Sequence, residues 1–173
     1  MATSFSSLLR GGDPRSLGRV NEAVQAVLRD TPRCGELLAC LFLDDQTVRM
    51  RAGDALEKVA RRRPDLVEPY LPDLLDRVAE IEQPSVQWHL AEIFGEVSLS
   101  PAQRRQAIEI LKRNLETCED WIVITDSMQT LTGFAATDPE LRDWLLPVLR
   151  NHRGAGRKAI AKRAEKLLAR LGE

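Results

Sequence analysis

Apolar residues recur along this chain at a spacing of 37 or 38 positions, and that register limits the fold more than any other feature. Val48, Val86, Val123 and Ile160 follow one another at 38, 37 and 37. The same steps connect Leu56, Phe94, Leu131 and Leu168, and again Val59, Val97, Phe134 and Leu171. A fourth set, Ala52, Leu90, Ser127 and Ala164, stands between the first two, with Ser127 its one polar member. Within each unit these places fall on one face of a helix of about 3.6 residues per turn. A second helix follows in each unit: Leu71, Ile108 and Leu145 align, as do Leu74, Leu111 and Val148, flanked by Tyr70, Ala107 and Trp144.

The spacing predicts helix pairs at about 17–30 with 33–43, 46–62 with 65–81, 85–97 with 101–117, and 121–136 with 139–151. A single helix follows at about 157–171. Asp44, Asp120 and Asp138 stand where helix N-caps are wanted, and Pro101 and Pro139 suit a first helical turn. Arg63-Pro64, Gln83-Pro84, Asp138-Pro139 and Gly154-Ala155-Gly156 read as turns. Trp121-Ile122-Val123-Ile124-Thr125 is β-rich locally but lies in the repeat register, so it is read as helix. No stretch shows sustained strand alternation.

The segment Asp45-Gln46-Thr47-Val48-Arg49, with Ala52, Ala55-Leu56 and Val59, resembles the D-x-x-VR-x-x-A-x-x-AL pattern of HEAT repeats. Val67 to Leu75 is similar to their second helix. The resemblance covers roughly residues 17–172. It implies an all-α, right-handed α-solenoid of about four HEAT-like helix pairs, second helices lining the concave side, with a C-terminal capping helix. Tetratricopeptide and ankyrin signatures are absent. A lone pair cannot bury its apolar face, so stacked neighbours must share one core. Residues 17–173 are accordingly expected as one HEAT-like domain. Residues 1–16, rich in Ser, Gly and Pro, are expected as a flexible lead and not a secretory signal.

Net charge is −1, which argues against a globally basic nucleic-acid binder. The balance is uneven. Residues 1–149 carry 17 Lys/Arg and 24 Asp/Glu, a balance of −7, whereas residues 150–173 carry 8 and 2, a balance of +6. Three cysteines without CxxC spacing suit reduced thiols in a cytoplasm. No apolar run is long enough to span a membrane.

Chemistry-bearing motifs are missing: no GxGxxG, GxxxxGK[ST], GxSxG or HExxH occurs. His89 and His152 fall in different repeats, and His89 reads as a surface residue of a first helix. Cys34 and Cys40 read as buried small apolar groups and not a metal pair. Trp121 with Asp126 is similar to the Trp-Asp element of the HEAT-like DNA-alkylation-repair glycosylases, but Ile122 stands where their first Asp would be, so Trp121 reads as packed and Asp126 as a surface group. Trp88 reads as a knob between repeats, and Trp144 as flanking the core. No catalytic residue, metal or cofactor is expected, and the chain is expected not to be an enzyme.

The second helices remain as the binding surface. Opposite their buried stripe lie Asp76, Arg113 and Arg150 in one ladder and Pro69, Gln106 and Asp143 in another. Asp76, Gln106, Arg113, Asp143 and Arg150 are therefore the expected contacts of a scaffold that binds a protein partner. The alternative is a nucleic-acid-binding solenoid using Arg153, Arg157, Lys158, Lys162, Arg163 and Lys166, although no aromatics interleave with these cations as a single-strand binder would need.

Overall fold

In the computed structural model, which describes residues 3–13, 15–154 and 156–173, side-chain caps fix where the repeat helices begin. Ten α-helices are described: α1 (Phe5–Leu8), α2 (Val20–Arg29), α3 (Cys34–Ala39), α4 (Gln46–Arg62), α5 (Leu71–Asp76), α6 (Pro84–Glu96), α7 (Pro101–Thr117), α8 (Trp121–Ala135), α9 (Pro139–Arg153) and α10 (Lys158–Arg170). Among the described residues there is no strand. Ahead of α8, the Asp120 carboxylate accepts from the amides of Ile122 at 2.9 Å and Val123 at 3.3 Å. Asp138 caps α9 through the Leu141 amide at 3.0 Å. The cap of α4 is Asp45, which accepts from Thr47 and Val48, and not the expected Asp44. Ser100 and Gln103 bond reciprocally at the start of α7, a capping box. With its cap in place, the β-rich run after Trp121 folds as helix, because that register buries Val123, Ile124, Met128 and Leu131.

The repeat columns are the core. Val48, Val86, Val123 and Ile160 are buried, as are Leu56, Phe94, Leu131 and Leu168. Ser127 sits fully buried in its column, where its hydroxyl accepts from the Asn114 amide at 3.3 Å. The outermost column is buried only at Val59 and Leu171; Val97 and Phe134 are half-buried. The chain divides into two compact units, Met1–Gln103 and Arg104–Glu173. In the first, α4 packs between α2 and α6. In the second, α8, α9 and α10 pack on one another, and α10 brings Ile160, Ala164, Leu168 and Leu171 to the core, as expected of a cap.

Two second helices differ from the expected spans. The helix expected over 65–81 is reduced to the six residues of α5, between 3-10 turns at Pro64–Leu66, Glu68–Tyr70 and Val78–Glu80. Pro64, Pro69 and Pro72 each lack an amide donor, so no long hydrogen-bonded ladder can form there. Leu71, Leu74 and Val78 are buried nonetheless. The helix expected over 33–43 is likewise shortened to α3 between 3-10 turns.

The described part of the 1–16 lead is packed. Phe5 and Leu9 are fully buried, and the Phe5 amide donates to Glu36 at 2.9 Å. Arg51 of α4, 1% exposed, holds the segment beyond: its guanidinium donates to the carbonyls of Leu9, Gly11, Asp13 and Ser16 at 2.6–3.1 Å. A buried cation survives here because fixed carbonyl dipoles replace its water. Gly18, at φ +53°, passes so close that a Cβ there would stand 2.8 Å from the guanidinium carbon. Of the expected turn at 154–156, Ala155 lies outside the described residues, as do residues 1, 2 and 14 of the lead.

Candidate functional site

On α7, the apolar face formed by Ala107, Ile108, Ile110 and Leu111 is buried, while Arg105, Glu109 and Lys112 project beside it. On α9, Leu141, Leu145 and Leu149 are buried, with Trp144, Pro147 and Val148 left part-covered or exposed. Arg105 and Ile108 face Asp138 and Leu141, whereas Leu115 and Glu116 face Val148 and His152. The two helices therefore run parallel, with an open furrow between them. It holds two hollows of about 300 and 420 Å³. Ile108 and Leu141 line the first; Leu115, Trp144, Pro147 and Val148 line the second.

Charge surrounds this apolar strip. The Lys112 ammonium lies 4.8 Å from the centre of the Trp144 ring and 3.2 Å from the Glu109 carboxylate. Asp138 is occupied in capping α9. The side chains of Arg105, Glu116 and Glu140 form no hydrogen bond or ion pair with any described residue. His152, at the far end, is half-buried, and burial lowers its pKa from the usual imidazole value, so it stands neutral at pH 7. The furrow thus offers an apolar floor, a half-covered indole and unpaired carboxylates. These are the parts of a contact surface.

Gln106, Arg113, Asp143 and Arg150 are all exposed on α7 and α9, but none lines either hollow. They lie farther round each helix, because the ladder was laid directly opposite the buried stripe, whereas the furrow opens between stripe and ladder. Arg150 is ion-paired with Glu173. Asp76 is exposed at the end of α5, in the other unit. Trp144, Glu116 and Glu140 line the hollows and stand outside the expected set. The signal for Trp144 was its column: Ala107, its equivalent, is fully buried, so an indole at that place must overhang.

Of the C-terminal cations, Arg153, Arg157, Lys158, Lys162 and Lys166 are exposed and Arg163 is half-buried. Arg157 donates to the Glu119 carbonyl at 2.9 Å, and Arg163 to the Gln129 side chain at 3.2 Å. Glu165 is exposed between Lys162 and Lys166. Arg104, which a phosphate track would enlist, donates to the Phe134 carbonyl at 2.6 Å.

A second group of titratable residues joins α4 to α6. Glu57 is 3% exposed and ion-paired with Arg61. Burial, and then the nearby Glu92, raise its pKa above the ordinary carboxylate value. His89 was expected at the surface; it is buried, 9% exposed, with Nδ1 3.1 Å from Glu92. Its ring lies over Gly53, where a Cβ would meet it at 3.2 Å. Trp121, expected as packed, is 45% exposed, and Asp126 is half-buried. Cys34 and Cys40 are buried as expected, and burial pushes both thiols up to about 11. Among the described residues no group of three His, Cys, Asp or Glu could hold a metal ion. No described helix is long and apolar enough to cross a membrane.

No protein-family model matches this chain, and no curated protein matches it. Among solved structures it is similar to the complex of CpcE and CpcF of phycocyanin lyase from Nostoc sp. PCC7120. The TM-score is 0.64 with 18% sequence identity, and the match covers 95% of each chain. The expectation that the chain is no enzyme is corrected by this likeness. The similar structure belongs to a lyase, so missing sequence motifs do not set chains of this fold apart from enzymes. At 18% identity the likeness shows the fold: all-α, a HEAT-like helical solenoid, as the repeat register requires.

Proposed function

We propose that this chain is a protein-binding HEAT-like subunit of a lyase-type complex, and that it grips its protein partner in the α7–α9 furrow. The observation that carries the reading is the half-covered Trp144 ring, set among apolar side chains and beneath Lys112. Indoles in such settings dominate the energy of protein contacts, and they are fully covered only when a partner closes over them. The similar structure, itself a complex of two proteins, supports a protein as the partner. Gln106, Arg113, Asp143 and Arg150 then form the outer rim, where charge sets encounter and specificity more than affinity. We place this work in the cytoplasm, where Cys34, Cys40 and Cys118 would remain the free thiols they are here.

The nucleic-acid alternative draws support from Lys158, Lys162 and Lys166, which form no ion pair with a described residue. Against it stand Glu165 within that ridge and the prior engagement of Arg104, Arg157 and Arg163.

A photo-crosslinker placed at Glu109, in the native host, tests the proposal. A discrete protein adduct that disappears in Trp144→Ala is expected. An adduct formed only from a crosslinker at Lys162, or one removed by nuclease, would overturn it.

A further inference from the structure

The chemistry of the partner element follows from which charges the furrow has already used. Four carboxylates line it, Glu109, Glu116, Asp138 and Glu140, against two cations, Arg105 and Lys112. Lys112 is held by Glu109 and the indole, and Asp138 by its cap. Glu116, Glu140 and Arg105 remain, all exposed and all without a partner among the described residues, two carboxylates against one cation. The two carboxylates stand on opposite walls near opposite ends: Glu140 faces the level of Arg105, and Glu116 that of Asn151 and His152. From the level of Arg105 to that of Glu116 is eleven residues of α7, or about 16 Å at about 1.5 Å per residue. Three turns of a helix cover that length.

We infer that the furrow takes an amphipathic helix of the partner protein, three to four turns long. Its apolar stripe meets Trp144 and the strip from Ile108 to Val148, and basic residues about eleven positions apart reach Glu116 and Glu140. The inference rests on the reading above and adds the partner's secondary structure and charge. Two features support it. Apolar side chains line both hollows, Ile108 and Leu141 in one and Leu115, Trp144, Pro147 and Val148 in the other, which suits side chains at the i, i+3, i+4, i+7 spacing of a helix. Four carboxylates against two cations leave the lining net acidic, with the unpaired carboxylates toward its two ends, so cations toward the ends of the guest are complementary.

The test uses the full chain with Trp88→Phe and Trp121→Phe, so that Trp144 is the only indole, its fold confirmed by circular dichroism. The probes are two synthetic helical 15-residue peptides with one leucine stripe, one bearing lysines eleven apart and the other glutamates. The lysine peptide should bind at least tenfold tighter and shift Trp144 emission to the blue. Glu116→Lys with Glu140→Lys should reverse the preference, and both substitutions fall on exposed positions. Equal affinities, a preference that survives the double reversal, or binding without change at Trp144 would overturn the inference. If the crosslinker at Glu109 captures a partner whose attached segment is acidic or extended, this inference fails while the protein-binding reading stands. If no protein is captured, that reading fails too.

Discussion

The α4–α6 seam and the α7–α9 furrow both join helices of consecutive repeats, yet one is sealed and the other open. At the seam a small residue faces the neighbour: Gly53 lets α6 approach until the His89 ring lies over it. Charged groups caught there, Asp54 and Glu57, are answered by Lys58 and Arg61 on the same helix. In the furrow the facing positions are Arg105, Glu109 and Lys112. Glu109 and the Trp144 ring hold Lys112, but Arg105 has no partner among the described residues, and closing over it would strip water from an unanswered charge. The helices stay apart, and Trp144 stays half-covered. In this fold, a glycine at the facing position lets two helices close into a core, and long charged side chains at the facing positions of another pair leave a surface for something else to fill.

If that contrast is correct, substitutions at the seam should change stability and substitutions in the furrow should change binding. The largest effect is expected at Phe94, fully buried on α6: Phe94→Ala should cost about 3–5 kcal/mol in chemical denaturation. An unchanged melting temperature would mean the register is misplaced there. Arg51→Ala should follow at about 3 kcal/mol, since it leaves the carbonyls of Leu9, Gly11 and Asp13 without their charged donor. Proteolysis should then cut within residues 10–18 first.

Arg51 also shows where the sequence stopped being legible. The columns of Val48, Leu56 and Leu131 identified the core and every long helix, because burial at a helical period leaves a direct imprint on residue type. A buried arginine leaves no such imprint; its partners are backbone carbonyls, which any residue carries. The broken second helix at 64–80 was partly written in Pro64, Pro69 and Pro72, but the apolar spacing of Leu71, Leu74 and Val78 suited helix and 3-10 turn alike. The furrow was hardest to foresee. It depends on the distance between α7 and α9, which no single helix's pattern records, and so the expected ladder of Gln106, Arg113, Asp143 and Arg150 fell beside the hollows.

A smaller effect is expected at Glu57. Its pKa is raised in the folded protein, chiefly by burial and next by Glu92, against the opposing Arg61 and His89. The native state therefore binds this proton more tightly than the unfolded chain does. Stability on its account is greatest below the ordinary carboxylate range and falls as pH rises through the raised native value. Glu57→Gln should thus raise stability at pH 7, by about 1 kcal/mol, and flatten the decline that begins above the ordinary carboxylate range. A mutant less stable at pH 7 than at pH 4, relative to wild type, would show that the Arg61 pair outweighs burial. The smallest stability effect is expected in the furrow, where Glu116→Gln with Glu140→Gln should move stability by less than about 0.5 kcal/mol while weakening the partner.

Hydrogen–deuterium exchange of the chain alone and with its crosslink-identified partner tests the central claim most directly. Binding in the furrow should slow exchange over residues 105–116 and 139–152, and leave 158–170 and 46–62 as they were. Protection confined to 158–170, with the furrow unchanged, would contradict the account.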